Sequence, residues 1–182
     1  CGTDNLGRDI FSRLLYGGRV SLTIGIISVG IGLIVGGAIG AIGGYFGGKI
    51  DNVLMRFMDI LMAIPSVILG VSICAALGPG LVNTMIAVGI STIPQYTRIL
   101  RSSIMSVKQQ EFVEAARAIG AGNGRIISKH IIPNSMSGLI VQASMGVGRA
   151  IISAASMSFI GLGIQPPNPE WGAMLATARD VI

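Results

Sequence analysis

QEFVEAARAIGAGNGRIISKHIIPN, running from Gln110 to Asn134, decides how this chain is read. It is the longest charge-bearing segment between apolar runs, so it belongs in water while its neighbours belong in lipid. Phe112, Ala115, Ala116 and Ile119 recur at helical spacing and make one apolar stripe, with Gln110, Glu114 and Arg117 on the opposite side. That spacing predicts a short amphipathic helix. Gly120 stands where a helix end needs a residue that tolerates positive φ, and residues 121–124 turn the chain before a second short helical run over 125–131. Pro133 disfavours helical geometry at Ile132 and suits the first turn of whatever follows, so a bent helix pair closed at both ends is predicted.

Composition places the flanking runs in a membrane. The 182 residues are 51% hydrophobic and only 12% charged, about half the usual share of roughly 25%, and mean hydropathy is +0.74. A net charge of +5 could suggest nucleic acid, but six of the 13 basic residues fall between Arg98 and Lys129, in one loop beside membrane spans. That is a positive-inside signature, and no nucleic-acid partner is expected. Cys1 and Cys74 offer neither a disulfide framework nor a metal spacing. The chain opens on Cys1 and stops at Ile182 inside an unfinished segment, so further residues are expected beyond both ends.

Residues 1–19 mix Arg8, Arg13 and Arg19 with Phe11, Leu14 and Tyr16, an amphipathic pattern expected to lie at the outer interface without spanning. No charge occurs from Val20 to Gly48, and about 20 apolar residues suffice to cross a bilayer, which puts a first span at 20–43. Within it Gly32, Gly36, Gly40 and Gly44 make a four-residue ridge on which another helix can pack closely. After a polar break over 45–56, an uncharged run of 38 residues from Ile60 to Thr97 is too long for one crossing and is divided by Gly78-Pro79-Gly80. Spans are predicted at 57–77 and 81–99, each with an internal proline, Pro65 and Pro94. The loop over 103–133 follows, and then a fourth span at 137–162 carries a second small-residue ridge, Gly146, Ala150, Ala154 and Ser158. Arg149 near its middle costs about 2.5–3.5 kcal/mol to insert, so it is expected to face the interior or a watery path; Arg149 and Gln142 are the candidates for lining that path.

Orientation follows by alternation. With the 98–133 loop in the cytoplasm, Lys49 and Arg56 fall on the same side, while Gly78, Trp171 and residues 1–19 fall outside. Arg8, Arg13 and Arg19 then run against the charge rule, partly offset by Asp4 and Asp9. Gly43, Gly48 and Lys49 imitate a phosphate-binding loop, but Ile50 stands where Ser or Thr would hold magnesium. His130 is the only histidine, and neither a metal cluster nor a nucleophile with a base in reach is offered, so no catalytic or metal-ligating residues are assigned.

Glu114-Ala115-Ala116, three residues, Gly120, nine residues and then His130-Ile131-Ile132-Pro133 resemble the EAA loop of the membrane-spanning permease subunits of ABC importers. In that family the last element is I-x-L-P; His130 stands at its Ile position and Ile132 at its Leu position. The runs Gly2-Thr3-Asp4-Asn5-Leu6-Gly7-Arg8-Asp9, Ser158-Phe159-Ile160-Gly161-Leu162-Gly163 and Pro166-Pro167-Asn168-Pro169-Glu170-Trp171-Gly172 resemble the dipeptide/oligopeptide and nickel branch. The resemblance covers nearly the whole chain. It implies a single all-α polytopic permease domain over 1–182, with about four membrane helices here out of a family core of five to six. It also implies coupling through Glu111, Glu114, Ala115, Ala116, Arg117, Gly120, His130 and Pro133 to a cytoplasmic ATPase that carries the ATP and Mg, this chain itself holding no cofactor and being no enzyme. The other implied partners are a second, homologous permease in a heterodimer, an extracellular or periplasmic binding protein, and the lipid of a bacterial or archaeal cell membrane. The implied cargo is a di- or oligopeptide, with nickel or another small solute of the branch as the alternative. A gradient-driven transporter or channel is the rival from another class, and it would need a chain of intramembrane acids that the spans do not show.

Overall fold

Glycine and proline decide where the helices stop. The computed structural model describes residues 1–4, 6–165 and 167–179, without the side chain of Arg179; Asn5 and Pro166 of the terminal motifs lie outside the described residues. The elements are α1 (Ile10–Phe46), α2 (Gly48–Met62), α3 (Ser66–Leu77), α4 (Leu81–Val107), α5 (Glu111–Ala118), α6 (Asn123–Ile126), a π-helical turn (Ile127–Ile131), α7 (Ile132–Phe159) and α8 (Trp171–Arg179). Among the described residues there is no strand, only an isolated bridge between Thr3 and Asp9. Ile10–Phe46 and Asn123–Phe159 are each long and apolar enough to cross a membrane, and Gly48–Met62 with Ser66–Leu77 passes that test as one broken span.

Several predicted boundaries move. The first helix starts at Ile10, not at residue 20, and takes in half of the segment expected to lie apart at the interface. At about 1.5 Å per residue its 37 residues correspond to about 55 Å of helix, more than a hydrocarbon core of about 30 Å requires. The polar break expected over 45–56 shrinks to Gly47 (φ 66), after which α2 begins at once. The span expected over 57–77 is interrupted: Pro65 (φ −52, ψ 131) is extended and separates α2 from α3, since it lacks an N–H and disfavours helical geometry at Ile64. Pro94, by contrast, stays inside α4. Gly78 and Gly80, at φ 87 and φ 148, make the turn between α3 and α4.

Pro133 does not close the loop as expected. The helix runs from Asn123 to Phe159 without a stop, Ile132 being helical at φ −56, ψ −52, so the predicted second helical run is the foot of the predicted fourth span. The π turn over Ile127–Ile131 widens the ring just ahead of the proline, which accommodates the hydrogen bond that Pro133 cannot donate.

The chain divides into two compact units. The first comprises Cys1–Gly30, Pro65–Ser91 and Gly146–Ile182. Here a Cβ on Gly25 would stand 2.9 Å from Ile151 and 3.0 Å from Val147, which brings α1 onto α7. Ser28 Oγ donates to the Met85 carbonyl at 3.1 Å, joining α1 to α4, and buried Cys74 on α3 donates Sγ–H to the Leu162 carbonyl at 3.0 Å. Gly146, Ala150, Ala154 and Ser158 are all buried. Helix α8 is held by buried Glu170, which accepts the Gly172 and Ala173 N–H groups at 2.9 Å each and the Ser21 hydroxyl at 3.3 Å. Trp171 lies over Gly17 and Gly18 and donates Nε1–H to the Leu14 carbonyl at 3.0 Å.

The second unit comprises Ile31–Ile64 and Thr92–Met145 and is built on one seam. A Cβ on Gly36 would stand 2.5 Å from the Ile93 carbonyl oxygen and one on Gly44 2.9 Å from that of Arg101. On Gly40 it would collide with the Thr97 carbonyl, and on Gly32 with the Thr92 hydroxyl. Both rows advance by four residues, so α1 and α4 meet backbone to backbone.

Gly40→Ala therefore drives a methyl group into backbone that cannot move aside. It should destabilise the purified protein by about 1–3 kcal/mol, a fall of several degrees in melting temperature. Gly30→Ala is the control: nothing lies within 4 Å of its Cβ position, so helix propensity makes it neutral or slightly stabilising.

Candidate functional site

The seam fixes the ends of α1 and α4, and the loop hangs from those ends. Lys108, one residue past α4, donates Nζ–H to the Tyr45 carbonyl at 2.5 Å and lies 5.5 Å from the Tyr45 ring centroid. A cation is thereby placed at the carbonyl end of α1, where the helix dipole favours it. Tyr45 in turn donates its hydroxyl to Asn123 Oδ1 at 2.6 Å, which ties α1 to the first residue of α6. Both sides of the loop are fastened to one tyrosine.

Two ion pairs join α2 to α4. Arg101 grips Asp51 with Nε and Nη2, each 2.5 Å from a carboxylate oxygen, with the aspartate side chain 10% and the arginine side chain 28% exposed. Arg98 pairs with Asp59 two turns further along α2, and there both groups are about half exposed. A bidentate, part-buried pair is the stronger of the two, because the fork is held in one geometry and screened little. Neither pair was foreseen; the spacing of Asp51 and Asp59 by eight and of Arg98 and Arg101 by three does not by itself match one to the other. Nor were Tyr45, Lys108 and Asn123.

Helix α5 begins after extended Gln110 (φ −79, ψ 145), with Glu111 and Glu114 in its first turn, where the helix dipole favours acids. It ends on Gly120 at φ 81, whose N–H bonds the Arg117 carbonyl at 2.9 Å while the Ala121 N–H bonds the Ala116 carbonyl at 3.1 Å. Those two bonds make a complete Schellman cap, which needs a left-handed residue at that position. Val113 and Ala116 are buried. Glu114 and Arg117 line a cavity of about 320 Å³ shared with Asp51, Met105 and Lys108. Most of the predicted apolar stripe faces the other way: Ala115 is exposed, Phe112 is 42% and Ile119 85% exposed.

His130 lies beside Phe112, ring centroids 6.4 Å apart, and its carbonyl accepts the Asn134 side-chain N–H at 2.7 Å; Pro133 is exposed. Thus Glu111, Glu114, Ala115, Ala116, Arg117 and Gly120 are gathered on α5 and its cap, whereas His130 and Pro133 belong to the foot of the following helix. Gln142 and Arg149, half-buried and exposed, stand two turns apart on α7. Lys49 is exposed at the start of α2 and follows a helix, not a strand, which removes the phosphate-loop imitation. Among the described residues no group of three His, Cys, Asp or Glu could hold a metal.

The family described as binding-protein-dependent transport system inner membrane component matches residues 28–179. The chain is 49% identical over 181 residues to the dipeptide transport system permease protein DppC of Alkalihalophilus pseudofirmus, covering all of this chain and 60% of that protein. It is 47% identical over 178 residues to the glutathione transport system permease protein GsiD of Pectobacterium atrosepticum, covering 98% and 59%. The chain thus spans about 60% of the length of the curated relatives it matches. Among solved structures, an inward-facing MetNI methionine ABC transporter superposes with a TM-score of 0.73 at 20% identity, covering 94% of this chain and 88% of that one. At that identity the likeness concerns the fold.

A double-mutant cycle on Asp51→Ala and Arg101→Ala measures the clamp beneath α5. The pair should show a coupling of about 1–3 kcal/mol in unfolding free energy, whereas the same cycle on Asp59 and Arg98 should stay below about 1 kcal/mol because both partners are half in water.

Proposed function

The chain belongs to the family of binding-protein-dependent transport system inner membrane components, and on that premise we propose that it is the permease subunit of an ATP-driven peptide importer. In this reading α5 is the surface on which a cytoplasmic ATPase docks. The observation that carries it is the attitude of α5: Val113 and Ala116 are buried, while Phe112, Ala115 and Ile119 form an apolar face turned away from the unit. A short water-facing helix has no reason to keep such a face unless a partner covers it. Anchorage through Tyr45, Lys108 and Asn123 supports the same reading, because a docking helix transmits force only if it moves rigidly with the spans.

The membrane path then belongs to this subunit together with a second, homologous permease. Gln142 and Arg149 on one side of α7 are its proposed polar lining. Lys49 and Lys129 are placed in the cytoplasm and Gly78 and Trp171 outside, in a bacterial or archaeal cell membrane. ATP and Mg are bound by the partner ATPase, and an external binding protein delivers the cargo. A peptide is favoured over nickel or another small solute because the relatives are named for dipeptide and glutathione transport. This chain contributes no catalytic group of its own.

Two substitutions in water test the docking helix without disturbing the spans. Gly120→Val puts a β-branched residue at φ 81, a left-handed position that costs about 1–2 kcal/mol or more for a residue with a Cβ, and so opens the Schellman cap. Glu114→Lys reverses a charge on the exposed first turn. Both variants should insert normally, pull down the ATPase poorly, and lose stimulation of hydrolysis by loaded binding protein in reconstituted vesicles. Full coupling by both would reduce α5 to an interfacial connector.

A further inference from the structure

A cavity of about 390 Å³ lies in the first unit, where the amino-terminal turn, the start of α1 and α8 meet. Its size is that of a small-ligand site, for which about 300–1,000 Å³ is usual. Leu14, Trp171, Met174 and Leu175 give it an apolar wall, and its charged lining among the described residues is Asp4, Arg8 and Arg13. Asp4 is shared: Arg8 Nε lies 2.7 Å and Arg13 Nε 3.8 Å from the same carboxylate oxygen. Two guanidiniums against one carboxylate leave a net charge of +1, and with the Arg13 side chain only 17% exposed that charge is poorly hydrated.

The wall is preformed. Trp171 is held by its bond to the Leu14 carbonyl and by the bare backbone of Gly17 and Gly18, and α8 is fastened by Glu170. Leu14, Trp171 and Leu175 nevertheless stay 46%, 40% and 60% exposed. A free anion would satisfy the arginines and leave this apolar surface in water, and a neutral lipid would cover the surface and leave the charge. An anionic amphiphile satisfies both. Arginine and tryptophan at the end of a helix long enough to span a membrane also mark the depth at which headgroups lie.

The geometry points to a site for one anionic phospholipid, its phosphate on Arg8 and Arg13 and an acyl chain along Leu14, Trp171 and Leu175.

Native mass spectrometry of the full-length permease, purified with its partner subunits and titrated with phosphatidylglycerol or phosphatidylcholine, tests the site. Phosphatidylglycerol should bind in preference, and inorganic phosphate should not displace it. Arg13→Gln should weaken phosphatidylglycerol about fivefold, the effect of one basic residue at an anionic surface, and leave phosphatidylcholine unchanged. If that variant fails to accumulate, Leu175→Gln at an exposed position must weaken the same lipid. Unchanged retention in either variant overturns the site. So does displacement by phosphate alone, which would make it a simple anion site, and so does a wild-type protein that binds neither lipid there.

Discussion

In lipid no hydrophobic force draws one helix to another, so helices that must stay together need close van der Waals contact between backbones. Here that contact is the meeting of Gly36, Gly40 and Gly44 on α1 with the carbonyls of Ile93, Thr97 and Arg101 on α4. Because both rows step by four residues, the two helices are held in one register along the seam. Their carboxyl ends are thereby brought side by side, and everything at the loop uses that placement. Arg101 meets Asp51, Lys108 meets the Tyr45 carbonyl, and Tyr45 meets Asn123. A larger side chain anywhere in the row would separate the ends on which α5 depends.

The helix that α1 meets at the seam is long enough to cross a membrane but, unlike α1, not apolar enough to pass for a span on composition. α4 carries Thr84, Thr92, Gln95, Thr97, Arg98 and Arg101, yet Thr84, Val88, Tyr96, Thr97, Leu100 and Ile104 along it are buried. Thr84 and Thr97 return their hydroxyls to carbonyls four residues earlier, Gly80 at 2.8 Å and Ile93 at 2.9 Å, which satisfies them where water is absent. A helix whose polar groups are buried and paired can be polar in this way.

What could be read from the sequence was what depends on spacing alone: four glycines at intervals of four, a glycine at the end of an eight-residue helix, and a Gly-Pro-Gly turn. Each has a local physical cause that needs no knowledge of the neighbours. The extent of α1 was not legible, because Arg13 and Arg19 read as the edge of an interfacial segment, whereas the helix continues through them from Ile10. Pro65 and Pro133 have the same chemistry and opposite outcomes. One ends a helix and the other is absorbed by a π turn, and only the surrounding packing distinguishes them. The direction of the apolar stripe on α5 was equally hidden, since periodicity shows that a face exists and not which way it points.

Docking through α5 depends on that direction. Single cysteines at positions 112, 113, 116 and 119, in a protein whose exposed Cys1 and buried Cys74 have been replaced by serine, can be cross-linked to the ATPase in the assembled importer. Adducts are expected from Phe112→Cys and Ile119→Cys, on the outward face, and not from Val113→Cys or Ala116→Cys. Adducts from positions 113 and 116 with none from 119 would show that α5 docks by its other face, and no adduct from any of the four that it does not dock; either result contradicts the coupling surface described here.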